Sequence, residues 1–249
     1  MLDAFVNTFF RGYLWILLAA ISGTIYLLKV KNPPLLNRIF VWFLWLTLVV
    51  DLSGFYSAIG YYTNYKYFAF ANGTKYIQNY WLYNIFKTIA FVFYFYFFIF
   101  QLKSRQLRKI MLWVTWIFFF TAWANYYFFT DIFLGYSSFT AIGGTFILLL
   151  CIALYLYQIL RSDKILDFYR ELPFYVAIGT LLWHITITPL FIYNQFAIMH
   201  SSEDFVSMYL KILTLMNFIM YGSFTVGFLI VAFSRKYKKT IMNPKPENI

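Results

Sequence analysis

Residues 79–100 read NYWLYNIFKTIAFVFYFYFFIF, and the reading of this stretch decides the fold. As a helix rising about 1.5 Å per residue, the run is long enough to cross a hydrocarbon layer of roughly 30 Å. Its one charge is Lys87. Runs of the same kind recur along the chain, and they are predicted at about 10–30, 39–59, 81–102, 110–129, 139–160, 174–194 and 211–233. Composition agrees with them: of 249 residues, 62% are hydrophobic, 25% aromatic and only 12% charged. Mean hydropathy is +0.67, far outside the range of soluble globular domains. The fold class is therefore all-α, a polytopic integral membrane protein with seven transmembrane helices. Residues 1–249 form a single transmembrane helical domain, with 234–249 as a basic tail.

The net charge of +11 would suggest nucleic acid on a soluble domain, but here it orients helices. With the C-terminus in the cytoplasm, the basic residues of the loops after the first, third and fifth runs and of the tail all fall inside. Only Arg11, Lys66, Lys75, Lys87 and Lys211 fall on or near the other side. The expected topology is N-terminus outside and C-terminus in the cytoplasm, with the basic side touching anionic lipid and no nucleic acid as partner. The first run lacks a small-residue cleavage site and reads as a retained helix, not a signal peptide. The bias toward Phe, Tyr, Ile, Asn and Lys suggests an AT-rich genome and a bacterial inner (plasma) membrane.

The single cysteine, Cys151, lies mid-run, which excludes an intramolecular disulfide and a cysteine metal site. The HExxH, GxSxG and GxGxxG signatures are absent, and no second carboxylate stands at the depth of Asp51, so no catalytic residue, metal or cofactor is assigned. The inner connections KVKNPPLLNR, KSRQLRK and RSDKILDFYRELP are too short to hold a catalytic domain. Outside, GYYTNYKYFAFANGTKYIQNY and NQFAIMHSSEDFVSMYL are candidate recognition surfaces.

The polar residues inside the runs carry the functional question. Lys87 lies about 9 Å and Asp51 about 12 Å below the same outer boundary, so they are an intramembrane base and acid at matching depth. A charge left alone there costs about 2.5 to 3.5 kcal/mol on insertion scales, which makes an Asp51–Lys87 pair the economical answer. In the alternative, Lys87 snorkels outward while Asp51 accepts hydrogen bonds from Tyr56 or nearby backbone. His184 is expected to bond Thr186 or Tyr221, or else to act as a proton-sensing or ligand group. Asn84, Asn125 and Asn217 fall in the outer halves of their helices, and with Asp51, Lys87, His184 and Tyr221 they suit one polar chamber. Interhelical hydrogen bonding explains the amides equally well. Pro189 removes a helical hydrogen bond and is expected to kink the sixth helix. The runs FVFYFYFF (91–98) and WIFFFTAWANYYFF (116–129) are expected to supply lipid-facing bulk. Ala19 with Gly23, and Ser223 with Gly227, read as close helix contacts. Arg235, Lys236, Lys238 and Lys239 form a stop signal beside anionic lipid or a cytoplasmic docking site.

DLSGFY (51–56), NYWLYNIF (79–86), LPFYVAIGTLLWH (172–184) and LMNFIMYGSFTVGFLI (215–230) occur in an order that resembles small seven-helix membrane proteins of Bacteroidota. These are similar to the membrane input modules of some sensor histidine kinases. The resemblance implies a sensor or receptor-like module that passes a signal to a separate partner protein. In that group an acidic residue is expected near the position of Ala90, whereas this chain has Lys87 one turn earlier. A small-solute transporter or permease, and an accessory scaffold or homo-oligomer in a membrane complex, are the alternatives.

Overall fold

The computed structural model describes residues 13–161, 168–196 and 203–242. Among them every regular element is helical. In chain order the α-helices are α1 (Leu14–Lys29), α2 (Leu35–Ser53), α3 (Tyr56–Tyr62), α4 (Tyr80–Ile99), α5 (Arg105–Phe128), α6 (Ser138–Leu160), α7 (Leu172–Phe196) and α8 (Glu203–Met242), with short 3-10 turns at Ala69–Ala71 and Phe168–Arg170. Six segments are long and apolar enough to cross a membrane, counting α2 with α3 as one segment of 28 residues. Residues 10–12 of the first predicted run lie outside the described residues; its described part, α1, has 16 residues, shorter than the other six segments.

The second span is broken where the sequence suggested one unbroken helix. Gly54 separates α2 from α3, and a Cβ there would run into the hydroxyl of Tyr83. The connection that follows is tied back onto this break. The Tyr56 hydroxyl reaches the carbonyls of Tyr76 and Gln78 at 2.7 and 2.8 Å and accepts from Trp81 Nε1 at 2.9 Å. Asn79 Nδ2 donates to the Gly54 carbonyl at 2.9 Å. Side-chain caps start two other helices: Ser104 Oγ accepts from Leu107 N–H, and Ser137 Oγ from Thr140 N–H.

The last helix is longer at both ends than its apolar run. It is already helical at Glu203, ahead of the expected start near 211. It continues through the expected tail to Met242, since Lys and Arg are good helix formers. Hydropathy marks where a helix is apolar, and this one extends beyond that.

α8 packs along α7 and α1, and α4 packs along α6. Small residues permit the approach. A Cβ on Gly179 of α7 would strike the Ser223 hydroxyl and come within 3.0 Å of the Met220 carbonyl, while Gly227 admits Tyr175 and Gly23 admits Val41 and Phe228. Aromatic rings fill the middle of the bundle. Phe40, Phe95, Phe97, Phe98, Phe224 and Phe228 are fully buried, with the Phe40 ring 5.0 Å from Phe97 and 5.3 Å from Phe224. Much of the 91–98 run is therefore core, against the lipid-facing expectation, because its helix lies inside the bundle. The 116–129 run belongs to the peripheral α5 and leaves Trp116, Ile117, Phe120, Tyr127, Phe128 and Phe129 exposed.

Candidate functional site

Aromatic contacts fix the register between α2 and α4, the tightest of them the stack of Phe43 on Phe93 at 3.9 Å. Asp51 lies eight residues and Lys87 six residues from this stack toward the same end of the bundle, about 12 and 9 Å along their helices. Both face a chamber of about 600 Å³ that is walled by α2, α4, α6, α7 and α8. His184, Asn217 and Tyr221 line it too. Its floor includes Phe91 and Met220, and beyond them the buried phenylalanines close the bundle.

Asn84 and Asn125 do not line the chamber. Asn84 is completely buried and pins the loop between α5 and α6, donating from Nδ2 to the Ile132 and Gly135 carbonyls at 3.1 and 2.8 Å. Its Oδ1 accepts from Ser137 N–H at 3.1 Å. Asn125 Oδ1 accepts from the hydroxyls of Thr130 and Ser137 at 3.0 and 3.2 Å. The loop between α5 and α6 presents backbone groups to Asn84 and hydroxyls to Asn125, and so draws both amides away from the cavity.

The Asp51–Lys87 pair expected from depth is not formed. Neither side chain makes a hydrogen bond or an ion pair with a described residue. Tyr56, the other expected partner of Asp51, is occupied by the loop above it. The Asp51 carboxyl instead stands within electrostatic reach of the hydroxyls of Tyr13, Tyr83 and Tyr221. Lys87 places its ammonium 4.5 Å from the centre of the Phe191 ring, a cation–π contact inside the chamber.

His184 is held by α6, not by the partners expected from the sequence. Its Nδ1 lies 3.0 Å from Thr145 Oγ1, which is 3.1 Å from Thr188 Oγ1. Its ring packs against Trp183 at 4.8 Å and Phe91 at 5.5 Å. Trp183 Nε1 donates to Asn217 Oδ1 at 2.8 Å, joining α7 to α8 across the chamber wall and leaving Asn217 Nδ2 without a partner among the described residues. α7 remains helical through Pro189, whose exposed ring leaves Ile187, Thr188 and Phe191 facing the chamber.

A group of tyrosines that the sequence reading did not single out stands at the end of the chamber. Tyr13 and Tyr83 both line it, with their hydroxyls within electrostatic reach of each other. Tyr136, from the loop before α6, sets its ring 4.8 Å from Tyr80 and lines the chamber with Tyr209. Burial pushes the Tyr136 hydroxyl up to about 12, so it stays a neutral donor at ordinary pH. The available signal was the recurrence of tyrosine near one end of several runs, which is also how an interfacial belt reads.

Arg235, Lys236, Lys238 and Lys239 lie on α8, and their side chains fall outside the described residues. Among the described residues no three His, Cys, Asp or Glu side chains gather as metal ligands. The chamber is thus an aromatic cavity with a carboxyl, an ammonium and an imidazole on its walls, suited to orienting a small polar molecule. Comparison with known protein families, with curated proteins and with solved structures finds no match to this chain.

Proposed function

We propose that the chain is a membrane receptor module in which a small molecule entering the chamber shifts α7 and α8, and the basic end of α8 passes the change to a separate partner protein. The observation that carries this reading is α8 itself. It contributes Tyr209, Asn217 and Tyr221 to the chamber wall and runs as one helix to Met242, past Arg235, Lys236, Lys238 and Lys239. At about 1.5 Å per residue its length is near 60 Å, twice a hydrocarbon layer, so a single element links the cavity with an aqueous surface.

In this proposal α1, packed along α8, is the seventh crossing, the basic ends of the helices face a bacterial cytoplasm, and the chamber opens to the outside. The inner-membrane location follows the compositional bias and the order of motifs described above. A ligand acts only through its differential affinity for two arrangements of the bundle, and the contact between Trp183 and Asn217 is the part of the wall where α7 and α8 are joined.

The floor favours a receptor over a permease. Phe40, Phe95, Phe98, Phe224 and Phe228 lie between the chamber and the basic end, all fully buried, and a solute would have to part them to pass.

The test is gentle purification of the tagged full chain from its own membrane, with associated proteins identified by mass spectrometry. A variant with Arg235, Lys236, Lys238 and Lys239 all changed to glutamine is purified beside it. A signalling protein present with the native chain and lost from the variant is the expected result. Identical sets in both samples, together with solute flux in reconstituted vesicles, would overturn the reading in favour of transport.

A further inference from the structure

Two opposite charges at nearly the same depth, neither with a hydrogen-bond or ion-pair partner among the described residues, are an unusual economy in an apolar interior. Direct pairing is the cheapest way to hold them, and the bundle does not use it. Instead each charge has its own surroundings. Asp51 stands among phenol groups, Tyr13, Tyr83 and Tyr221, whose ring faces and hydroxyls suit an ammonium. Lys87, drawn toward Phe191 on the α7 side, stands within electrostatic reach of His184, beside which lies Thr188, and these groups suit a carboxylate. Between and below them the walls are apolar and aromatic, with Phe43, Tyr94 and Trp183 among the lining residues.

We infer that the chamber binds a small zwitterion, an amino acid or a similar amino carboxylate, with its ammonium on Asp51, its carboxylate on Lys87 and an apolar side chain against the aromatic walls. This rests on reading the chamber as a ligand site and names the ligand class for it. A molecule with both charges neutralises both walls at once, whereas an amine alone would leave Lys87 unpaired and a carboxylic acid alone would leave Asp51 unpaired. The cavity is the right size as well, since about 600 Å³ falls in the range of ordinary small-molecule sites and admits a side chain as large as an aromatic ring.

The test is a thermal-stability and calorimetric titration of the purified full chain in detergent. The probes, at millimolar concentration, are glycine, L-leucine, L-phenylalanine, β-alanine and γ-aminobutyrate. Phenethylamine and 3-phenylpropionate serve as single-charge counterparts of phenylalanine. At least one zwitterion is expected to stabilise the protein, with its single-charge counterparts at least tenfold weaker, and Asp51→Asn and Lys87→Gln are each expected to weaken it tenfold or more. No response across the zwitterions overturns the inference, and so does equal binding of the amine or the acid. The comparison of ligands is made on the native chain, so a variant that misfolds does not decide it. Binding without any effect on a partner would count against the receptor reading alone, and partner control without zwitterion binding against this inference alone.

Discussion

Asn84 shows how much one amide can hold. It makes three hydrogen bonds to backbone groups of the loop between α5 and α6, and its own carbonyl accepts from the Tyr126 hydroxyl at 3.0 Å. Replacement by alanine leaves one buried and two part-buried backbone groups without this partner, so Asn84→Ala should lose about 2 to 3 kcal/mol. The measurement is thermal unfolding in detergent, and a change in ligand affinity comparable to that of Asp51→Asn would show that Asn84 does more than hold the loop. Thr145→Val has a different signature. It removes the partner of His184 Nδ1 at the chamber wall, so ligand binding should weaken by severalfold alongside a loss of stability of about 1 to 2 kcal/mol. The sequence put Asn84, Asn125 and Asn217 in one class because it gives their depth but not the direction in which each faces. Only Asn217 meets the cavity; the other two are turned toward a loop whose needs are invisible until the helices are in place.

Positions of the helices were legible from apolar runs, and their breaks and true ends were not. Nothing in the hydropathy of 39–59 marks Gly54 as a break, since the cause is Tyr83 arriving from another helix. Likewise the buried 91–98 run and the exposed 116–129 run are equally aromatic, and what separates them is α4's position inside the bundle and α5's at its edge. The packing of α7 on α8 gives a direct comparison. Gly179→Ala puts a methyl group into the Ser223 hydroxyl and the Met220 backbone and should cost about 2 kcal/mol. Gly222→Ala, on the neighbouring helix with no atom within 4 Å of the new methyl, should be neutral or slightly stabilising. Thermal unfolding of the two variants side by side checks this, and equal losses would mean that α7 and α8 do not approach each other as described.

Taken together, the charges divide the bundle into a basic end and an end of tyrosines, with the chamber near the latter. Orientation in the membrane can be read with single cysteines. Cys151 is completely buried and should not react with an impermeant maleimide, so the native chain itself serves as the unlabelled background. In that background Lys75→Cys should label in intact cells and Lys109→Cys only after permeabilisation, and the reverse pattern would invert the proposed topology.

The close approach of Gly179 to Met220 also sets mechanical proportions. From Met220 to Tyr209 α8 extends about 16 Å, and from Met220 to Met242 about 33 Å. If this contact serves as a fulcrum, the arm on the basic side is about twice the arm beside the chamber. A displacement too small to admit water at one end would then emerge about doubled at the other, in the direction opposite to the push.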